Sequence, residues 1–279
     1  MDNALRKGLA GLTARQYESV HRVAIERIHT DVNDPVPYYL LARIALEHQN
    51  FIKSGELFEK ACSLEPDNPL FIAGHAEYLV TIGRQLDALR LADEATSLDI
   101  NDAFTADTVG VIYSRTGFHE KAVPLFERAV ELDPAPANFH YNLGVSLQFS
   151  GRFARAESAY KASIERRPDS YRAYSALVSL SRQTPENNYL DKLEALFEEH
   201  QENPDKALHI GHAIAKTRED LGQYVESFEW LLRARRGERG GVGYGPVGAA
   251  GVFAAGAEAV VSRAGGGGGC SGGGAVVLG

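Results

Sequence analysis

Pro66, Ile100, Pro134 and Pro168 stand thirty-four positions apart, and the residues before them repeat at the same step. Ala61-Cys-Ser-Leu-Glu-Pro66, Ala95-Thr-Ser-Leu-Asp-Ile100, Ala129-Val-Glu-Leu-Asp-Pro134 and Ser163-Ile-Glu-Arg-Arg-Pro168 are four versions of one helix end. A repeat of this length is one supersecondary unit that cannot bury its apolar face alone, so copies must stack. The predicted fold is therefore all-α, an α-solenoid of antiparallel helix pairs. Arrays of this kind offer surface rather than a catalytic cleft, which makes partner binding the expected function.

Placing the turn proline at position 32 of each unit gives repeats over 35–68, 69–102, 103–136 and 137–170. Small residues then fall into register. Position 8 is Ala42, Ala76, Gly110 and Gly144; position 20 is Ser54, Ala88, Ala122 and Ala156; position 27 is Ala61, Ala95, Ala129 and Ser163. Two helices of a hairpin approach closely only where neither carries bulk at the crossing, so these positions predict the contact seam. Phe58, Phe126 and Tyr160 at position 24 fill the space beside it, with Leu41, Val109 and Leu143 at position 7. Gly83, Gly117 and Gly151 at position 15 mark where the first helix ends.

These small and large positions resemble the tetratricopeptide repeat. Gly151-Arg-Phe-Ala-Arg-Ala156 with Tyr160 and Pro168 follows that pattern almost throughout, and Gly117-Phe-His-Glu-Lys-Ala122 with Phe126, Ala129 and Pro134 nearly so. The resemblance implies a right-handed superhelix whose first helices line a concave groove. The second unit departs, with Ile100 for the turn proline and Ala92 for the aromatic, which predicts a looser turn broken by Asn101-Asp102. Pro124 inside a second helix should bend that helix or delay its start.

The pattern continues on both sides. Residues 1–34 read as an N-terminal cap or partial repeat, a second helix without a clear first one. Residues 171–203 read as a degenerate repeat with a long loop at Thr184-Pro185-Glu-Asn-Asn188. Residues 204–236 form a last hairpin, with Gly222-Gln-Tyr-Val-Glu-Ser227 repeating the turn displaced by three residues. At Gly237 the pattern stops. Seventeen of the 28 glycines fall in the last 43 residues, a composition that cannot offset its ordering entropy and predicts disorder. A short alanine-rich helix over 247–261 is the exception considered there. So abrupt a change also fits translation in another reading frame or a truncation.

A formal charge of −8 argues against non-specific nucleic-acid binding, which needs cations to neutralise phosphates. No window is long and apolar enough for a membrane span, and the first thirty residues lack a signal-type apolar run. Cys62 and Cys270 lie in settings too different for a structural disulfide, so a cytoplasmic, reducing compartment is expected. Gly243-Tyr-Gly245-Pro-Val-Gly248 satisfies the dinucleotide spacing, but no strand precedes it and Pro246 removes a needed donor, so chance is the better reading. His200, His209 and His212 make a poor metal set, and Glu194, Glu198, Glu199 and Glu202 read as a solvated acidic face. No nucleophile has a placed base. Neither cofactor nor catalysis is expected.

The last hairpin, from His212 to Arg235, resembles the final repeat of bacterial proteins that join tetratricopeptide repeats to a sulfotransferase domain. That likeness implies a substrate-recruiting half whose phosphosulfate-binding loop, of Arg-Ser-Gly-Thr-Thr type, is missing from this sequence. As for the groove, positions 2, 5, 9, 12 and 13 share one face of each first helix. They supply Tyr39, Arg43 and Glu47, then Glu77, then Phe104, Asp107, Ser114 and Arg115, then Asn138, Tyr141 and Gln148, with Asn142 at position 6. Mixed aromatic and polar residues suit an extended peptide or protein segment. Glu77 and Asp107 point to a partner carrying basic residues. The lysine and asparagine clamp that holds a terminal carboxylate in chaperone-tail binders is missing, as is the asparagine ladder of the sugar-transferring members.

Overall fold

A computed structural model of the chain describes residues 3–236. It contains fourteen helices among those residues and one isolated bridge between Thr184 and Asn187. They pair as α1 (Asn3–Thr13) with α2 (Tyr17–Thr30), α3 (Pro35–Glu47) with α4 (Phe51–Leu64), and α5 (Pro69–Thr81) with α6 (Gln85–Ser97). Next come α7 (Ala103–Arg115) with α8 (His119–Leu132) and α9 (Ala137–Phe149) with α10 (Phe153–Arg166). The array closes with α11 (Tyr171–Leu180) and α12 (Leu190–His200), then α13 (Pro204–Asp220) and α14 (Tyr224–Arg236).

The sequence dictates each helix start. Asp34, Asn68, Asp102 and Asn203 sit just before a first helix, and each accepts a hydrogen bond from a backbone N–H of the first turn. Pro35, Pro69 and Pro204 follow at the first helical position, where a missing N–H costs nothing. The first helices of the four central units then stop in one recurring way. The N–H at position 16 donates to the carbonyl at position 11 in Asn50–Ala45, Arg84–Leu79, Phe118–Tyr113 and Arg152–Leu147, all at 2.8 Å. This is the Schellman closure, and it requires a left-handed residue at position 15. Gly83, Gly117 and Gly151 supply it with φ of 82°, 87° and 73°, whereas Gln49 takes it at 58° against its Cβ.

The same closure shows that residues 3–34 hold a full hairpin. Gln16 donates to the Gly11 carbonyl at 2.8 Å, and Arg15 has φ 57°. The expected lone second helix is thus two helices. Arg15 does the work of glycine without its signature, which hid the turn. At the far end Gly222 (φ 78°) repeats the motif, and Gln223 donates to the Arg218 carbonyl.

Packing follows the small positions. A Cβ built on Gly110 would lie 2.7 Å from the Phe126 ring, and one on Gly144 2.6 Å from the Tyr160 ring. Ala42, Ala76, Ala88, Ala95, Ala122, Ala129 and Ala156 are fully buried. Where position 20 is serine, its hydroxyl donates to the carbonyl at position 8: Ser54 to Ala42 at 3.0 Å, and Ser227 to Ala215 at 2.8 Å in the last hairpin. In the second unit α6 ends at Ser97, one residue earlier than the 14-residue α4, α8 and α10, and Asp102 starts α7. Pro124, exposed on α8, delays nothing: the helix runs from His119 to Leu132.

Candidate functional site

First helices pack against the first helices of neighbouring units, from α1 on α3 through to α11 on α13. Second helices pack on their own first helix and on the next one, and touch each other only through side chains, as where Lys121 on α8 reaches Asp93 on α6 and Trp230 on α14 meets Phe197 on α12. The first helices therefore form one continuous layer whose free side is a wall running along the array. The positions proposed for the groove all lie on first helices of this layer, and two of them are buried.

Tyr39 is fully buried and Asp107 nearly so. Tyr39 packs between the rings of Phe58 and Phe71, and the Cβ-less backbone of Gly74 makes room for it. It belongs to the core, because in this unit position 5 faces the rings of Phe58 and Phe71 in the seam. Asp107 accepts a hydrogen bond from Asn142 at 2.9 Å, across units. Burial pushes its carboxyl up to about 6; the Asn142 bond opposes this and the nearby Glu77 charge adds to it.

Several other candidates are already engaged, some across units and some within one. Arg43 forms an ion pair with Glu77 in the next unit, and its guanidinium lies 5.7 Å from the Phe104 ring centroid in the unit after that. Gln148 accepts from the Tyr160 hydroxyl at 2.7 Å, and the Tyr141 ring sits 5.8 Å from that of Tyr160. Ser114 lies 3.3 Å from the Ser146 hydroxyl. Glu47, Arg115 and Asn138 are exposed on the wall.

At the N-terminal end the wall folds around a cavity of about 140 Å³, lined by Leu9, Leu12, Thr13, Arg43, Glu47 and Phe104. In unit numbering these are positions 9, 12 and 13 of the first hairpin, 9 and 13 of the next, and 2 of α7. The sequence reading missed Leu9, Leu12 and Thr13 because it saw no first helix there. The spacing of Leu5, Leu9 and Leu12 was the available signal. A larger open depression of about 540 Å³ lies elsewhere, among residues of α10, α11, α12 and the loop before α12, including Lys161, Ile164, Tyr174 and Tyr189. It exists because α11 has only ten residues and the chain then loops to Leu190, leaving α10 partly uncovered. It is set off from the inner wall, and the groove positions do not line it.

The remaining chemistry is structural. His200 and His209 flank the Tyr171 ring, with centroids 6.4 and 6.2 Å away. No group of three or more His, Cys, Asp or Glu among the described residues could hold a metal. On the acidic face, Glu194 pairs with Arg218 at 2.5 Å and Glu198 with Arg233 at 2.6 Å, tying α12 to α13 and α14. No helix among the described residues is long and apolar enough to cross a membrane. The glycine-spaced motif at 243–248, the short helix expected over 247–261 and Cys270 lie outside the described residues.

Comparison with known proteins agrees with this architecture. Two family profiles, both described as tetratricopeptide repeat, match residues 117–180 and 37–68. The mitochondrial import receptor subunit TOM70 of Homo sapiens is 31% identical over 96 residues, which is 34% of this chain and 16% of that protein. This chain therefore spans a small part of the length of the curated relatives it matches. Among solved structures, human IFIT1 in its dimer with m7Gppp-AAAA superposes with a TM-score of 0.61 at 17% identity, over 86% of this chain and 59% of that one. TTC0263, a thermophilic tetratricopeptide-repeat protein of Thermus thermophilus, gives 0.52 at 19% identity over 64% of this chain and 97% of its own. At these identities the likeness is one of fold. The described residues form an all-α solenoid of paired antiparallel helices with the tetratricopeptide-type fold.

Proposed function

We propose that the protein is a non-catalytic scaffold that holds an extended peptide or protein segment along the wall formed by its first helices. The observation that carries this reading is the continuity of that wall. Residues from several units meet on it, as when Arg43 joins Glu77 and Phe104 across three repeats. An inner wall fixed by inter-unit bonds is pre-organised, which lowers the entropic cost of holding a flexible segment. Exposed Glu47, Arg115 and Asn138 then supply adaptable polar contacts, and half-buried Phe104 and Tyr141 supply area.

The preference for basic partners takes a narrower form than the sequence reading gave it. Glu77 is already engaged by Arg43, and Asp107 is buried against Asn142. Neither is offered to a ligand, so any acidic recognition falls to Glu47. The likeness to the repeat half of the sulfotransferases rests on the last hairpin, and no transfer of sulfate is proposed.

The test is selection of random dodecapeptides displayed on phage against the full chain. Selected peptides should lose binding to Arg115→Glu on the wall and keep it with Arg90→Glu on the outer side of α6. Equal binding to both variants would remove the groove from the account.

A further inference from the structure

The cavity at the N-terminal end of the wall has a composition that specifies an occupant. Leu9 and Leu12 from α1 and the Phe104 ring from α7 give it apolar sides. Arg43 closes it, but its guanidinium is committed to Glu77 and to the Phe104 ring. Glu47 stands at the rim, exposed, one turn along α3 from Arg43, whose charge it faces without a close ion-pair contact. The volume, about 140 Å³, is close to the roughly 150 Å³ that accommodates a benzene ring. That is room for a single side chain.

We propose that this socket seats one apolar side chain of the bound segment, of leucine, methionine or phenylalanine size, and that Glu47 pairs with a lysine or arginine beside it. The inference rests on the groove reading above and specifies where the segment's register is set. Two features favour this occupant over a small free ligand. The cavity opens along the wall that an extended chain would follow. Arg43 faces two carboxylates, Glu77 and Glu47, so the net charge there is negative, which complements a basic neighbour and repels an acidic one.

The selection described above also tests this socket. Peptides recovered on the full wild-type chain should be enriched in an apolar residue adjacent to Lys or Arg. The probe is then the most enriched peptide, synthesised with a fluorophore and titrated by anisotropy. Thr13→Trp places a ring across the mouth from an exposed rim position and should weaken binding by about 10- to 100-fold, the value of one buried apolar side chain. Glu47→Lys should replace the basic preference with an acidic one in a fresh selection. If peptides are selected whose binding depends on Arg115 but is unchanged by Thr13→Trp, and Glu47→Lys selects the same sequences, the socket is refuted while the groove stands. Failure to select any peptide overturns both. Unchanged far-UV circular dichroism of the two variants excludes unfolding as the cause, because neither position is in the core.

Discussion

Replacing Gly144 with alanine tests the packing rule on which the array is built. The added methyl would lie 2.6 Å from both Cδ1 and Cε1 of Tyr160, where carbon atoms rest comfortably at about 3.5–4.0 Å. The ring would have to retreat by about 1 Å. It has nowhere to go: Tyr160 is 1% exposed, its hydroxyl is held by Gln148 at 2.7 Å, and Tyr141 packs beside it. Overpacking of this kind costs about 1–3 kcal/mol, and a strained Tyr160–Gln148 bond costs about 1 kcal/mol more. Helix propensity returns about 1 kcal/mol for glycine to alanine. The net expectation is a loss of about 1–3 kcal/mol, read as a lower urea midpoint at unchanged slope by far-UV circular dichroism. A double-mutant cycle with Tyr160→Ala isolates the clash, since alanine at 144 should cost nothing once the ring is gone. A Gly144→Ala protein as stable as wild type, or a penalty undiminished beside Tyr160→Ala, would refute the reasoning.

Other outcomes follow from particular contacts. Tyr39→Phe should leave stability unchanged or raise it by up to about 1 kcal/mol, because the buried hydroxyl lies near Arg43 yet makes no hydrogen bond of good geometry among the described residues; a loss above about 1 kcal/mol in urea melts would contradict that. Asp107 has a folded pKa of about 6, above the ordinary carboxylate value because of burial, so the folded state holds its proton more tightly than the unfolded chain. Its stabilising contribution is therefore full below about pH 4 and is lost as pH rises through about 6. Asp107→Asn should flatten that part of the stability–pH profile and raise stability at neutral pH by up to about 3 kcal/mol, and an unchanged slope between those limits would count against it. Asp102→Ala removes an N-cap that accepts from the Thr105 N–H at 2.9 Å and its hydroxyl at 2.6 Å. About 1 kcal/mol should be lost, checked by thermal melting. Burial pushes the Cys62 thiol up to about 12, so in a Cys270→Ser background iodoacetamide at neutral pH should label it only as fast as the fourth helix opens, and rapid native-state labelling would oppose the placement.

Much of this fold was legible because the repeat states its own constraints redundantly. The close approach at Gly144 could be read from glycine standing at position 8 with an aromatic at 24, and the turns from glycine at 15. The reading failed where a residue took a conformation its type disfavours. Arg15 and Gln49 adopt left-handed backbone at position 15, and without glycine there the first hairpin was seen as one helix. At Tyr39 and Asp107 the failure was geometric. A three-or-four step places position 5 on the face of positions 2 and 9, but that step says nothing about the angle at which the next unit leans in. Here the neighbouring unit covers position 5 with Phe71 over Tyr39 and with Asn142 against Asp107. Charge patterning misled in the same way. Glu77 looked available in the sequence, yet its partner Arg43 lies thirty-four residues away, one repeat earlier.

Photo-crosslinking addresses the central claim most directly. Benzoylphenylalanine introduced at positions 115 and 138 on the inner wall, and at positions 90 and 128 on exposed outer sites of second helices, would be irradiated with a selected fluorescent peptide bound. Adducts at 115 and 138 with little at 90 and 128 are the expected result. Adducts confined to the outer positions, or spread equally over all four, would show that the wall of first helices is not where this solenoid holds its partner.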